Sequence, residues 1–260
     1  IVQFGEQEAL CKHLAAVSEA AANYAEAART AADLTGPQWI LALEQTAARG
    51  RRGRVWVHPV GNFAATLVVH PDEAPGVAAL RSFVMSLALL RAFVAVTGRN
   101  DVFALKWPND VLVQDGPQYK KLAGILIELQ GDMEGQSSAV IGIGINLKLS
   151  KKSMSHIDQP AIDLVSVGLE VIDPNELLGQ ILKDLADVLG QFNTSKFSSL
   201  KEEWMSYHVY QHQTVTLSLG DGRGVTGLAQ GVTDDGALII ETPSAGIETF
   251  SSGEITLRKV

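Results

Sequence analysis

Arg49-Gly50-Arg51-Arg52-Gly53-Arg54, followed by Trp56, places four guanidinium groups within six residues. The chain around this run is acidic: its 260 residues include 21 Lys and Arg against 29 Asp and Glu, a net charge of -8. A protein so charged has no general attraction for polyanions. Local cation interleaved with glycine points to one small, highly charged ligand. Each guanidinium offers a planar fork to carboxylate or phosphate oxygens, and each glycine lets the backbone come close to what the arginines hold. Basic runs are most often solvated faces or nucleic-acid patches. One short loop neutralises few phosphates, however, and no second basic patch extends it, so a nucleic-acid partner is not expected.

The run lies between two apolar segments. Residues 39–43 and 62–69 read as strands, so the arginines occupy a loop between them. Upstream, the Ala-rich stretch 12–33 has a weak helical period that stops before Gly36-Pro37. Downstream, residues 77–97 carry a helix-length apolar pattern ended by Gly98. Four strands are expected at 102–106, 111–113, 122–129 and 139–145, then a polar loop at 148–163. Pro174 opens a second helical region, and a shorter helix covers about 196–207. Beyond His212 the texture changes to short strands at 215–219, 224–229, 237–241 and 255–257, punctuated by Gly and Asp turns. The expected organisation is a domain over 1–209 and a small β-barrel over 210–260.

Composition narrows the class. Hydrophobic residues make up 46% and charged residues 19%, ordinary for a globular protein with a real core. The single cysteine, Cys11, excludes an internal disulfide and a multi-cysteine zinc site. Apolar stretches are broken well before the roughly 18 residues of a membrane span, and no signal peptide is recognisable. A cytoplasmic enzyme or binding protein without membrane association is the expectation.

Two further constellations carry chemistry. In Lys106-Trp107-Pro108-Asn109-Asp110, Pro108 fixes the angle at which Asn109 and Asp110 leave a strand. The same residues make a good plain turn. The functional reading gives Asp110 a carboxylate oxygen for Mg²⁺ or for proton transfer. In Lys120-Lys121-Leu122-Ala123-Gly124, a lysine enters a strand beside Gly124, where a ligand can press on the backbone. Gly142-Ile143-Gly144-Ile145-Asn146 lacks the third glycine and following helix of a dinucleotide fingerprint, which excludes a Rossmann site.

In order along the chain, five motifs resemble those of the biotin–protein ligase family, in its form without an N-terminal DNA-binding domain. They are Gln45–Trp56, His58–Asn62, Lys106–Asp110, Lys121–Glu128 and Gly142–Asn146, within a likeness that spans about 39–260. The resemblance implies an α+β fold: a mixed sheet with helices packed on one face, as in class II synthetases, followed by an SH3-like barrel. It also implies two half-reactions. Biotin carboxylate attacks the α-phosphate of ATP, releasing pyrophosphate. A lysine amine of a biotin carboxyl carrier domain then attacks the mixed anhydride, releasing AMP. Carried over position by position, Gln45, Arg49, Gly50, Arg51, Lys121 and Gly124 fall to biotin. Arg52, Arg54, Trp56, Asn109, Asp110 and Asn146 fall to the nucleotide.

The resemblance makes Lys121, Arg51 and Asp110 the catalytic set, with Lys121 bridging carboxylate and α-phosphate and Asp110 holding Mg²⁺ or accepting the acceptor-lysine proton. The arginine loop is expected to close over the adenylate, and Lys121 must meet that loop in one pocket. Family members can also dimerise through sheet edges. Two departures stand out: Ala48 replaces a family glycine, and the Asp-Ser-Thr-Asn-like tetrad of the first helix has no clear counterpart in 17–26, where Ser18 and Asn23 are the polar candidates. Competing readings are a lipoate–protein ligase-like acyl-adenylate transferase, which should lack the arginine run, and a non-catalytic binder of biotin or its adenylate.

Overall fold

The alternating apolar segments assemble into a seven-stranded sheet in the computed structural model, which describes residues 14–17, 23–34, 36–131, 138–157, 159–168, 173–219, 222–251 and 256–259. Its strands are β1 (Leu14–Val17), β2 (Gln38–Ala42), β3 (Phe63–Val69), β4 (Phe103–Lys106), β5 (Asp110–Asp115), β6 (Gln118–Gln130) and β7 (Ser138–Ile145). They run in the order β1-β2-β3-β7-β6-β5-β4. The β1–β2 pair is parallel and the others are antiparallel, so the sheet is mixed.

The helices are α1 (Asn23–Thr30), α2 (Pro75–Ala79), α3 (Arg81–Thr97), α4 (Lys151–Met154), α5 (Pro174–Ser195) and α6 (Ser198–Ser206). Two expectations need correction. The Ala-rich 12–33 stretch is not one helix: Leu14–Val17 pairs with Trp39–Ala42, because a parallel ladder outweighs a weak helical propensity. Nor do the helices share one face. Side chains alternate along a strand, and here Trp39, Leu41 and Leu67 pack with α3 and α5 while Ile40, Val68 and Val140 pack with Tyr24, Ala27 and Ala31 of the α1 region. The helical stretch Pro75–Thr97, 23 residues long, is apolar enough to cross a membrane by length and composition. It is instead a core helix, with Leu87, Leu89 and Phe93 fully buried. Gly98 ends it in the left-handed conformation (φ 66°), its amide donating to Val94 at 2.8 Å.

A second, antiparallel sheet follows, with β8 (Thr214–Ser218), β9 (Gly224–Val232), β10 (Leu238–Thr242), β11 (Gly246–Phe250) and β12 (Thr256–Lys259) in the order β11-β10-β9-β8-β12. Sequence patterning missed β11. The two sheets share a core: Val215, Leu238 and Ile240 belong to one buried cluster with Phe83, Trp204 and Leu200. The connecting segment also seals the outer edge of β4, where Leu105 N donates to Tyr207 O at 2.8 Å and Val209 N to Leu105 O at 2.9 Å. An uncovered strand edge exposes unpaired amides and carbonyls; here that edge is paired.

Candidate active site

Glycines pave the floor of the main cleft. Gly124 on β6 lies opposite Gly144 on β7, and Leu126 lies opposite Gly142, all on the face that carries α1. The trough they leave is filled by two rings. A Cβ on Gly144 would lie 2.5–2.6 Å from the Trp56 indole, and one on Gly142 would lie 2.8 Å from Tyr24 Cδ2. These glycines therefore admit aromatic side chains to the sheet surface, a role different from phosphate binding. The cleft above encloses about 1010 Å³, including its open mouth.

Lys121 reaches this floor through a bulge. Along the β5–β6 ladder Val111 pairs with Ala123 but Leu112 pairs with Lys121, so Leu122 is the extra residue. A bulge re-aims a side chain, and here it sends Lys121 to the same face as Gly124, three residues on. A Cβ at Gly124 would meet Lys121 Cε at 2.9 Å, so the missing side chain makes room for the lysine head. The ammonium sits 5.3 Å from the Trp56 ring centroid and 2.7 Å from Asp110 Oδ1, both partners of that ion pair being mostly shielded from water. On the outer side of the strand, the Lys121 amide donates to Pro160 O and its carbonyl accepts from Ile162 N. The stretch read as a plain polar loop thus supplies a backbone clamp for Lys121, and α4 as well.

The arginine loop folds back on itself. Gly50 N donates to Arg54 O at 2.7 Å and Trp56 N to Ala48 O at 3.0 Å, bracketing a 3-10 turn over Arg51–Gly53 with Gly53 at φ 70°. Ala48 is buried and takes no positive φ, which explains how alanine is tolerated there. Arg51 Nη1 donates to Asn109 Oδ1 at 3.4 Å. Arg49 pairs with Glu128 at 3.1 Å and lies over the Tyr24 ring at 5.4 Å. Burial, reinforced by the Glu128 charge, pushes the Tyr24 phenol well above its ordinary range, so it stays neutral as a donor to Val140 O.

The residues selected from sequence therefore converge. Gln45, Arg49, Gly50, Arg51, Arg54 and Trp56 line the cleft from the loop side. Asn109, Asp110, Lys121 and Gly124 line it from the sheet side. Asn146 does not line it; it borders a smaller adjoining pocket that shares Trp56 and Lys121. Its side-chain Nδ2 donates to Ile162 O at 3.1 Å. The Arg52 side chain, like Ser18, lies outside the described residues.

Sequence reading passed over Tyr24, Trp107 and Gln159 as lining residues, and Asn62 as a support. Buried Asn62 accepts from Leu147 N and Lys148 N at 2.8 and 2.9 Å and donates to Lys148 O, fixing the chain just after Asn146. The Gly-Asn pair in a turn was the available signal. Asn109 is held by Ile125, which donates to its carbonyl at 3.0 Å and accepts from its side-chain amide. Among the described residues no cluster of three or more His, Cys, Asp or Glu side chains could by itself hold a metal ion.

Cations from two separate stretches thus face one cleft, over a floor of glycines and aromatic rings. The profile of the Biotin/lipoate A/B protein ligase family matches residues 16–146, and that of the Biotin protein ligase C terminal domain matches residues 213–258. The biotin--[acetyl-CoA-carboxylase] ligase of Paracoccus denitrificans is 37% identical over 89% of this chain and 95% of its own length. The bifunctional ligase/repressor BirA of Escherichia coli is 31% identical over 82% of this chain, which covers 64% of that protein. The biotin protein ligase of Aquifex aeolicus, solved in complex with biotin and ATP, superimposes with a TM-score of 0.79 at 29% identity, covering 96% of this chain and all of that one. The chain belongs to the biotin protein ligase family, and its fold is the family's mixed catalytic sheet with an SH3-like C-terminal domain.

Proposed function

We propose that this protein activates biotin with ATP to biotinyl-5'-AMP and transfers the biotinyl group to a lysine of a biotin carboxyl carrier domain. The observation that carries the reading is the meeting of Lys121 with the Arg49–Arg54 loop over one cleft. Bringing a carboxylate toward the α-phosphate of a tetra-anion requires cations to offset repulsion and to stabilise charge on five-coordinate phosphorus. In this reading Gln45, Arg49, Gly50, Arg51, Lys121 and Gly124 receive biotin, and Lys121 spans its carboxylate and the α-phosphate. Arg52, Arg54, Trp56, Asn109, Asp110 and Asn146 surround the nucleotide. Carboxylate oxygen attacks phosphorus and pyrophosphate leaves. The acceptor amine then attacks the acyl carbon, AMP leaves, and Asp110 accepts the amine proton.

Asp110 is the one carboxylate among the described residues lining the cleft. Mg²⁺ is commonly held by one or two carboxylates together with substrate phosphates, so this donor set fits a metal that arrives with ATP, with Asp110 as its protein ligand. When bound, Mg²⁺ would neutralise phosphate charge. Residues 1–209 form the catalytic domain in this reading and 210–260 the barrel, working in the cytoplasm. The acceptor docks at an exposed sheet edge, and a homodimer through such an edge belongs to the same reading. Incubation with biotin and ATP but no acceptor should yield enzyme-bound biotinyl-AMP by mass spectrometry after rapid quench. A quench that yields only unreacted biotin and ATP would sink the proposal.

A further inference from the structure

Trp107 is almost completely buried, yet it is among the residues bordering the cleft, and its indole reaches the C-terminal sheet. Nε1 donates to Gly236 O at 3.0 Å, a buried bond between residues 129 positions apart. Gly236 sits in the Thr233–Ala237 turn that joins β9 to β10, closed by Thr233 N to Ala237 O at 2.8 Å and Gly236 N to Thr233 O at 3.0 Å. That turn is seated without slack. Gly236 has φ 79°, and a Cβ there would lie 2.8 Å from both Leu80 Cδ2 and Phe83 Cε2. The carbonyl that receives the indole proton is therefore held by backbone and by the α3 helix together.

What Trp107 precedes gives this bond its meaning. Asn109 and Asp110 follow after Pro108, and they are fixed from the β6 side by Ile125 and by Lys121. Asp110 also pairs with Lys106 across the β4–β5 ladder and Asn109 accepts from Arg51, while the anchor that comes from the C-terminal sheet is the indole. Strand β4, which leads into Trp107, is likewise gripped by Tyr207 and Val209 from the segment entering the barrel. We propose that Trp107 is a positioning residue, through which the C-terminal sheet sets where Asn109 and Asp110 stand relative to Lys121. The inference rests on the reading of this cleft as the site of adenylate formation. It gives the barrel a part in the first half-reaction, before any acceptor protein is present.

Two variants of the full-length chain test it. Trp107→Phe removes the donor and most of the ring; replacement of Trp107 by 3-benzothienylalanine removes the N–H while keeping the shape. Displacing reacting groups by an ångström costs up to about a hundredfold in rate, so the benzothienyl variant should lose about tenfold or more in kcat for biotin- and ATP-dependent pyrophosphate release. KM for ATP should rise with that loss, since Asn109 and Asp110 belong to the proposed nucleotide set, while KM for biotin should change by less than about threefold. Asp234→Asn, which cuts the exposed Lys201 pair on the same turn, should leave kcat unchanged. A wild-type kcat in the benzothienyl variant would overturn the proposal, whether or not Trp107→Phe folds. A wild-type chain inactive on biotin and ATP would instead sink the functional reading. A crystal structure of the benzothienyl variant then still decides the positioning claim, which requires the Asp110–Lys121 pair to separate and fails if the 2.7 Å contact persists.

Discussion

The Lys121 ammonium lies 2.7 Å from Asp110 Oδ1, on neighbouring strands whose register is broken by a single bulge at Leu122. Without that bulge the two side chains would not share a face, and the cation would not stand opposite the arginine loop. Each group also keeps the other compensated in a shielded site, where an unpaired charge is costly.

Lys121→Ala removes the cation assigned to developing charge and leaves Asp110 alone. Loss of one such electrostatic contact costs about 100- to 1,000-fold in kcat. Pyrophosphate release should fall by that factor, while far-UV circular dichroism stays unchanged. Retention of the wild-type rate would remove Lys121 from the mechanism.

Gly144→Val fills the space where Trp56 rests, since even a Cβ would lie within 2.6 Å of the indole. The ring must leave the sheet. Trp56 belongs to the proposed nucleotide set, so KM for ATP should rise by about tenfold, equivalent to about 1.4 kcal/mol. An unchanged KM for ATP would place the nucleotide elsewhere.

Asn62→Ala leaves the buried Leu147 amide without its acceptor. A buried unsatisfied donor costs about 1–3 kcal/mol. For a chain of this size each kcal/mol lowers Tm by about 2–4 °C, so calorimetry should show a fall of several degrees. No fall would mean that Asn62 does not hold the chain beside Asn146.

Acid stability should depend on His208. Burial drives its imidazole from 6.5 down to about 4; the Gln211 side chain opposes the shift and the Lys106 charge adds to it. The unfolded chain then binds a proton that the folded chain refuses. The contribution is whole above pH 6.5, is lost progressively as pH falls, and is gone near pH 4. A shift of that size is worth about 3 kcal/mol. His208→Phe should flatten the fall in unfolding free energy across that window in urea titrations. An identical slope in the variant would assign the acid sensitivity to other groups.

Much of this site was legible because its chemistry is local. Glycine-spaced arginines, Lys106–Asp110 and Lys121–Gly124 are contiguous, and each names a cation, a turn or a close approach by itself. Strand positions such as Phe63–Val69 and Ser138–Ile145 followed from apolar runs too short for helices. What escaped was set by distant partners. Leu14–Val17 is a strand only because Trp39–Ala42 lies beside it. The side of the sheet taken by Tyr24 depends on Gly142, far along the chain, leaving room for its ring. Strand β11 alternates Ile247 and Thr249 with Glu248 and Phe250, and its exposed Ile247 gives no burial pattern to read. The Trp107–Gly236 bond joins two segments that no periodicity connects.

The most direct measurement is pyrophosphate release by the purified protein with biotin and ATP, separately and together, followed by streptavidin detection of a carrier domain added afterwards. The account predicts release only when both substrates are present, with label appearing on one carrier lysine. Release from ATP without biotin, or activation of lipoate in its place, would contradict it.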